Sequence, residues 1–345
     1  MKNKAKDKII GGVFGLPGTY CKPKSKAPFL NRSNLFLANA SSGIWLLNNL
    51  LSPAQVWMPS YLCNALLLAV DTTKTAVRFY EVDSHLQISS LEWLTLIKPN
   101  DLIIFIDYFG FPCNRALLKN AKDKGAWILE DASQALLSED VGKFSDFTLF
   151  SPRKFLGVPD GGILSFNERN IKIRDIKLSR PPDKWWLKAF SATLLRRDFD
   201  LYGVSNNWFE LFQEAEAEVP VGNYAMSEFS QTLLNQCFDF STIAQIRVEN
   251  YNCLAKWLSK LAIFPDLLPG VIPLGFPIIT KNRDQIRQAL FGHHIYPPVH
   301  WNIKGVIPEH FEQSHELSNR IMTLPCDQRY NILDMERIAK LINET

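Results

Sequence analysis

The sequence predicts an α/β protein, with a large domain on a mostly parallel sheet and a smaller α/β C-terminal domain. Three observations predict it. Between residues 54 and 166, six β-rich apolar runs appear, with helix-period stretches between several of them. Those runs are apolar at nearly every position, as strands covered on both faces are. The chain has 345 residues, 46% of them hydrophobic, which is too long for one small core. Residues 1–240 are read as the large domain and residues 241–345 as the small one.

The chain opens with MKNKAKDK, a solvated basic tail. IIGGVFGLPG behind it is too short and glycine-rich for the apolar part of a signal peptide. LANASSGIWLLNNLL is a strong helical run opened by Ala40, Ser41, Ser42 and Gly43. Small side chains leave the free N–H groups of a helix start accessible, and the dipole adds positive potential. Such a start is either a phosphate-type anion site or a plain serine N-cap. The strand runs are QVWMP, TAVRFYEV, DLIIFIDYF, AWILED, DFTLFS and GILSF. Between several of them lie the helical stretches YLCNALLLAV, ISSLEWLTLI and NRALLKNAKDKG. Gly125 stands where a helix C′ glycine belongs.

AWILED carries Glu130 and Asp131 to a strand end, the edge at which open α/β sheets bind ligands. A carboxylate there caps a helix or meets a cationic ligand. LFSPRKFLGVPDGG, residues 149–162, sets Lys154 on a proline- and glycine-built turn between two apolar runs. A lysine at the rim of a buried sheet is desolvated, which lowers its pKa and frees a nucleophilic amine. The plain alternative is an exposed loop lysine.

Residues 167–222 read as an irregular, aromatic-rich helical excursion that packs on something, a second subunit included. Trp185, Trp186, Trp208, Phe209 and Phe212 are more aromatic surface than a mobile loop exposes. MSEFSQTLLNQ and the long STIAQIRVENYNCLAKWLSKL are helical, with Ser241 as N-cap of the second. GVIPLGFPIIT, a helix at RDQIRQALFGH, a loop YPPVHW and a last helix at LDMERIAKLINE complete the chain.

A net charge of +3 with mixed signs excludes a nucleic-acid footprint. No apolar run approaches the ~20 residues of a membrane span. The cysteines at 21, 63, 113, 237, 253 and 326 form no regular spacing and read as free thiols in a reducing cytoplasm. The adjacent His293 and His294, with His300 beyond two prolines, make no metal site. No G-x-G-x-x-G follows the first strand, which counts against a nucleotide-dependent oxidoreductase.

A phosphate cradle, a strand-end aspartate and a Ser-x-x-Lys before a glycine turn are together what pyridoxal 5′-phosphate requires. The lysine forms the Schiff base, the aspartate keeps the pyridine nitrogen protonated, and the helix start with Ser151 holds the phosphate. The sequence resembles the DegT/StrS family of PLP-dependent sugar aminotransferases, of the aspartate-aminotransferase fold (fold type I). EDASQA resembles that family's E-D-A-A-Q-A, and SPRKFLGVPDGG its lysine loop ending in G-D-G-G. VWMPSYLCNALLLAV, GNYAMSEFSQTLLNQ and SNRIMTLPCDQRY…LDMERI are similar to three further family stretches. The likeness runs from about residue 35 to the C-terminus and is weakest at 167–220.

The resemblance implies Lys154 as the Schiff-base lysine and Asp131 as the pyridinium partner. It implies Gln134 on the ring's phenolic oxygen, Ser41 and Ser42 on the phosphate, and Tyr61 stacked on the ring. Asn223 would reach the phosphate of the other subunit, in a homodimer with shared active sites. Three departures stand out: Leu149 replaces the family's phosphate serine, Phe155 its asparagine after the lysine, and Ala225 an arginine. The implied activity moves an amino group from an amino acid, with glutamate the expected donor, to a keto sugar expected to be nucleotide-linked. The alternative is a non-catalytic or divergent PLP-fold protein acting on another substrate.

Overall fold

A computed structural model describes residues 8–18, 27–31, 33–167, 176–204 and 207–345. The readings made for residues 1–7, for Cys21 and for parts of 167–222 lie outside the described residues. The first strand, β1 (Ile10–Gly11), pairs far down the chain, as set out below. The central sheet has seven strands: β2 (Ser33–Leu37), β3 (Gln55–Pro59), β4 (Ala76–Tyr80), β5 (Leu102–Ile106), β6 (Trp127–Asp131), β7 (Phe147–Phe150) and β8 (Gly162–Phe166). Their order is β2-β8-β7-β6-β5-β3-β4. Neighbours from β7 to β4 are parallel, and β8 alone runs against its neighbours β7 and β2. The run LIIFI of β5 is buried at every position, as are β7 and β8. Continuous apolar strands therefore become strands covered on both faces, as their composition predicts.

Helix α1 (Ala40–Leu51) packs on β7 and β8. Gly43 permits this closeness, because a Cβ there would lie 2.6 Å from Leu149 Cδ1. Leu149 thus serves the packing between helix and sheet. YLCNALLLAV gives only the short α2 (Asn64–Leu67), and ISSLEWLTLI only a 3-10 turn, Glu92–Leu96. Helix α3 (Arg115–Asp123) leads through Gly125, at φ +82°, into β6.

The aromatic stretch after β8 is not irregular. It forms two regular helices packed on each other, α4 (Asp183–Tyr202) and α5 (Trp208–Ala217). The Nε1 of buried Trp185 donates to Ala215 O at 2.9 Å, and Trp208 lies 4.6 Å from the Arg196 guanidinium. Of the five aromatics named above, only Phe209 is exposed. Trp185, Trp186 and Trp208 thus find partners within their own chain, while Phe209 stays exposed.

Helices α6 (Glu228–Gln236) and α7 (Phe240–Leu258) follow. Asp239, not Ser241, caps α7: its carboxylate accepts from Thr242 N and from the Ser241 and Thr242 hydroxyls. The remainder supplies β9 (Phe276–Ile279), α8 (Arg283–Gly292), β10 (Ile295–Tyr296), α9 (Glu312–Arg320), β11 (Ile321–Leu324) and α10 (Ile332–Asn343). β9 and β11 pair antiparallel, β10 pairs parallel with β1, and α10 packs on α7 and α8. Among the described residues, no helix is long and apolar enough to cross a membrane.

Candidate active site

The parallel strands end on one edge of the sheet, and the chemistry-bearing residues follow those ends. Tyr61 lies just past β3, Tyr108 past β5, Asp131 closes β6, and Ser151 and Lys154 follow β7. The lysine sits on a 3-10 turn, Pro152–Lys154, where Lys154 N donates to Ser151 O at 3.2 Å. Gly161 N donates to Ala38 O at 2.8 Å. A Cβ on Gly162 would lie 2.2 Å from the Asn39 carbonyl carbon, so only glycine lets the turn touch the start of α1. The lysine loop and the helix start, 120 residues apart in sequence, are thereby neighbours. Lys154 is half-buried and has no carboxylate partner among the described residues.

Asp131 is buried, and its Oδ1 accepts from Ser133 N at 3.0 Å. Gln134 is also buried. Its Oε1 accepts from Phe109 N at 2.7 Å, while its Nε2 meets no acceptor among the described residues. A buried amide donor left unmade costs roughly 1–3 kcal/mol, which a ligand oxygen would recover. The hydroxyls of Ser41 and Ser151 have no hydrogen bond among the described residues. Ser42 is different: it is fully buried, donates to Asn39 Oδ1 at 3.1 Å and accepts from Gly222 N at 3.3 Å. The N-cap of α1 is neither serine but Asn39, whose Oδ1 accepts from Ser42 N at 2.9 Å.

Asn223 is exposed, with Nδ2 3.4 Å from Lys177 O, and stands apart from the buried cluster. Tyr61 is buried and offers no open face. Its ring lies 5.6 Å from that of Trp301 and 6.2 Å from that of Tyr108. Its hydroxyl donates to His300 O and accepts from Trp301 N at 2.7 Å, so Tyr61 secures a loop from the C-terminal part.

That loop, read from sequence only as YPPVHW, carries residues the motifs did not reveal. His300 Nδ1 pairs with Thr323 Oγ1 at 2.8 Å, and its ring meets Phe109 and Trp301 edge to face. Burial, and after it the nearby Lys154 ammonium, push the His300 pKa down to about 3, so the imidazole is neutral. Trp301 is half-buried beside Tyr61 and Tyr108. Burial first, then Tyr80, Tyr61 and Asp131, push the Tyr108 hydroxyl well above its usual range. A chain of neighbours therefore runs from Asp131 through Tyr108, Trp301 and His300 to Lys154. Two prolines before a His-Trp pair were the one local signal of a rigid wall.

Glu130 points to the opposite face of the strand from Asp131. There Glu130 Oε2 accepts from Gly142 N at 2.8 Å and Ser145 Oγ at 3.0 Å, and Asp107 Oδ1 accepts from Cys113 N at 2.8 Å. The remaining oxygens, Asp107 Oδ2 and Glu130 Oε1, are buried with no hydrogen-bond partner among the described residues. Burial first, then the Glu130 charge, hold the Asp107 pKa well above the usual carboxylate range.

The model of the DegT/DnrJ/EryC1/StrS aminotransferase family matches residues 38–343. Among solved structures, Helicobacter pylori PseC, an aminotransferase involved in the biosynthesis of pseudoaminic acid, is 16% identical at TM-score 0.71. The match covers 98% of this chain and 99% of that one. S. venezuelae DesV is 17% identical at TM-score 0.65, over 92% and 86% of the two chains. NtdA from Bacillus subtilis, solved with the bound cofactor PMP, is 15% identical at TM-score 0.65, over 92% and 74%. At these identities the structures share the fold. No curated protein sequence matches the chain significantly.

The Asp107–Glu130 pair gives stability a definite pH sign. The folded pKa of Asp107 is raised, so its contribution is complete below the unfolded value of about 3.9 and is lost as pH rises through the folded value. Within that window the loss approaches about 1.4 kcal/mol per pH unit for one proton. Asp107→Asn, which keeps a donor toward Glu130, should flatten this slope in urea titrations between pH 5 and 9. An unchanged slope would show that Asp107 does not carry it.

Proposed function

The chain belongs to the DegT/DnrJ/EryC1/StrS aminotransferase family, whose members are PLP-dependent aminotransferases, and from that premise we propose its reaction and the residues that perform it. It moves an amino group from an amino acid, with glutamate the expected donor, to the keto group of a nucleotide-linked sugar. One observation carries this reading. The glycine turn that closes the lysine loop is locked against the start of α1, and the same strand ends carry a buried carboxylate and, just past it, a buried amide donor without an acceptor among the described residues.

These residues fit pyridoxal 5′-phosphate. The Asp131 carboxylate would hold a proton on the ring nitrogen, and Gln134 Nε2 would donate to the phenolic oxygen. The hydroxyls of Ser41 and Ser151 and the start of α1 would hold the phosphate, with Ser42 securing the helix start. When bound, the cofactor supplies an electron sink for the pair freed as the donor's Cα loses its proton. Lys154 Nζ would take the covalent link and, once released, would carry that proton. His300 and Trp301 form the wall on the acceptor side: an indole face suits the C–H surface of a sugar ring, and a neutral imidazole suits its hydroxyls. The free thiols of Cys63, Cys253 and Cys326 suit a reducing cytoplasm, where we place the reaction.

We also read the enzyme as a homodimer with shared sites. Asn223 supports this by being exposed within a segment that lies against the start of α1, where Ala38 N donates to Tyr224 O at 2.9 Å. The site therefore reaches the surface at this edge.

Three measurements test the reading. Borohydride reduction of the holoenzyme and peptide mapping should place the label on Lys154, and Lys154→Ala should lose visible absorbance and turnover while staying folded. A label on another lysine refutes the assignment. Trp301→Ala should slow the acceptor half-reaction roughly tenfold, about 1.4 kcal/mol of barrier, and leave the donor half-reaction unchanged. Equal losses in both halves would remove Trp301 from the acceptor side. Lys154→Ala chains mixed with inactive Asn223→Ala chains should regain part of the activity, since one site of each mixed dimer is intact. No recovery from verified mixed dimers would refute the shared site.

A further inference from the structure

The glycine-rich stretch IIGGVFGLPG has a place in the fold that transamination does not use. Residues 8–16 run as a strap across three separate parts of the chain. At one end Lys8 Nζ meets Asp334 Oδ2 at 2.7 Å, β1 pairs with β10, and Gly11 N donates to the Tyr330 hydroxyl at 2.6 Å. Arg329 holds the middle, donating to Gly12 O at 2.9 Å and Val13 O at 2.8 Å. At the other end Leu16 N donates to Thr193 O of α4 at 3.1 Å.

Between these anchors the strap touches the lysine loop directly. A Cβ on Gly157 would fall 1.7 Å from Gly15 O, and one on Gly15 would fall 2.5 Å from Arg197 N. Two glycines thus bring the backbones of strap, lysine loop and α4 into contact. Val13 and Phe14 line one side of a small cavity whose other side includes Leu156, Val158 and Pro159.

Phe14 also belongs to a stack of alternating rings and guanidinium groups. Arg329 lies 4.1 Å from its ring and Arg247 5.9 Å, and Arg247 lies 4.4 Å from the ring of Phe155, the residue after Lys154. Gln328 closes the arrangement, accepting from Arg247 Nε at 2.8 Å and donating to Phe155 O at 2.6 Å. Phe155, a departure from the family's asparagine, is thereby accounted for: it supplies the last face of the stack.

We infer that the strap is a positioning element for Lys154, with Phe14 as its key residue. A 3-10 turn of three residues has weak internal hydrogen bonds, so what packs on it decides where it points. Phe14 acts on Arg247, Arg247 on Phe155, and Phe155 is joined by its peptide bond to Lys154. A misplacement of about 1 Å in a reacting group can cost ~10²-fold in rate. The catalytic consequence rests on Lys154 being the reacting amine; the structural effect on its turn does not.

The experiment compares Phe14→Leu, which keeps apolar bulk without a π face, with Phe14→Tyr, which keeps the face. In the cofactor-free full chain, hydrogen exchange at residues 154–158 should be roughly tenfold faster in Phe14→Leu, with β5 and β6 unchanged. Phe14→Tyr should restore the native rate. In the cofactor-loaded protein, the pH midpoint of the visible band should move in Phe14→Leu and return in Phe14→Tyr. Native exchange at 154–158 together with an unmoved midpoint in Phe14→Leu would overturn the inference, even if the melting temperature falls. A visible band that survives in Lys154→Ala would instead refute the role of Lys154, while the exchange result would still stand.

Discussion

Asp160 is a fully buried carboxylate without a cation beside it among the described residues, and the lysine loop depends on how its charge is met. A buried ion is tolerated only when several donors surround it. Here Ser227 gives its N–H at 2.7 Å and its hydroxyl at 2.6 Å, Trp186 its indole N–H at 3.3 Å, and Ser230 its hydroxyl. Those donors come from the start of α6 and from α4. One carboxylate therefore ties the glycine turn that follows Lys154 to two helices that arrive later in the chain. The adjoining Gly161 and Gly162 carry the same loop against α1. A lysine on so short a turn owes its fixed position to these surroundings.

The electrostatics of the strand ends follow from face alternation. Three carboxyl groups crowd the ends of β5 and β6, yet only Asp131 lies on the face of Tyr108 and the C-terminal loop. Asp107 and Glu130 lie on the other face, where burial first and then the Glu130 charge hold the Asp107 pKa above the usual carboxylate range. On the face of Tyr108, His300 is kept neutral by burial and by Lys154. Asp131 thus closes one strand and Lys154 follows the end of its neighbour, with the rings of Tyr108, Trp301 and His300 nearby.

What could be read from sequence was local. The sheet strands, Asp131 at a strand end and Lys154 on its turn all announce themselves within a dozen residues, through apolar runs and turn chemistry. The helices α4 and α5 hid behind prolines and tryptophans whose partners, such as Ala215 O and Asp160, lie 26 to 30 residues away. Ser42 looked like Ser41 because nothing nearby reveals that Gly222, 180 residues on, uses its hydroxyl. Tyr61 looked free to stack because its partners, His300 and Trp301, lie some 240 residues distant. Residues whose roles are set by such distant contacts carry no periodic signature.

The strap has a consequence for how the protein is made. Residues 8–13 leave the ribosome more than 300 residues ahead of Arg329, Tyr330 and Asp334, which hold them. At about 5–20 residues per second, the strap waits roughly 15–65 s for its partners. Closing so long a loop is an entropic cost met only once the sheet and later helices have shortened the distance. The central sheet can condense while translation continues. Full support of the lysine turn comes after residue 334 has emerged, so nascent chains stalled before that point would carry the lysine without its finished setting.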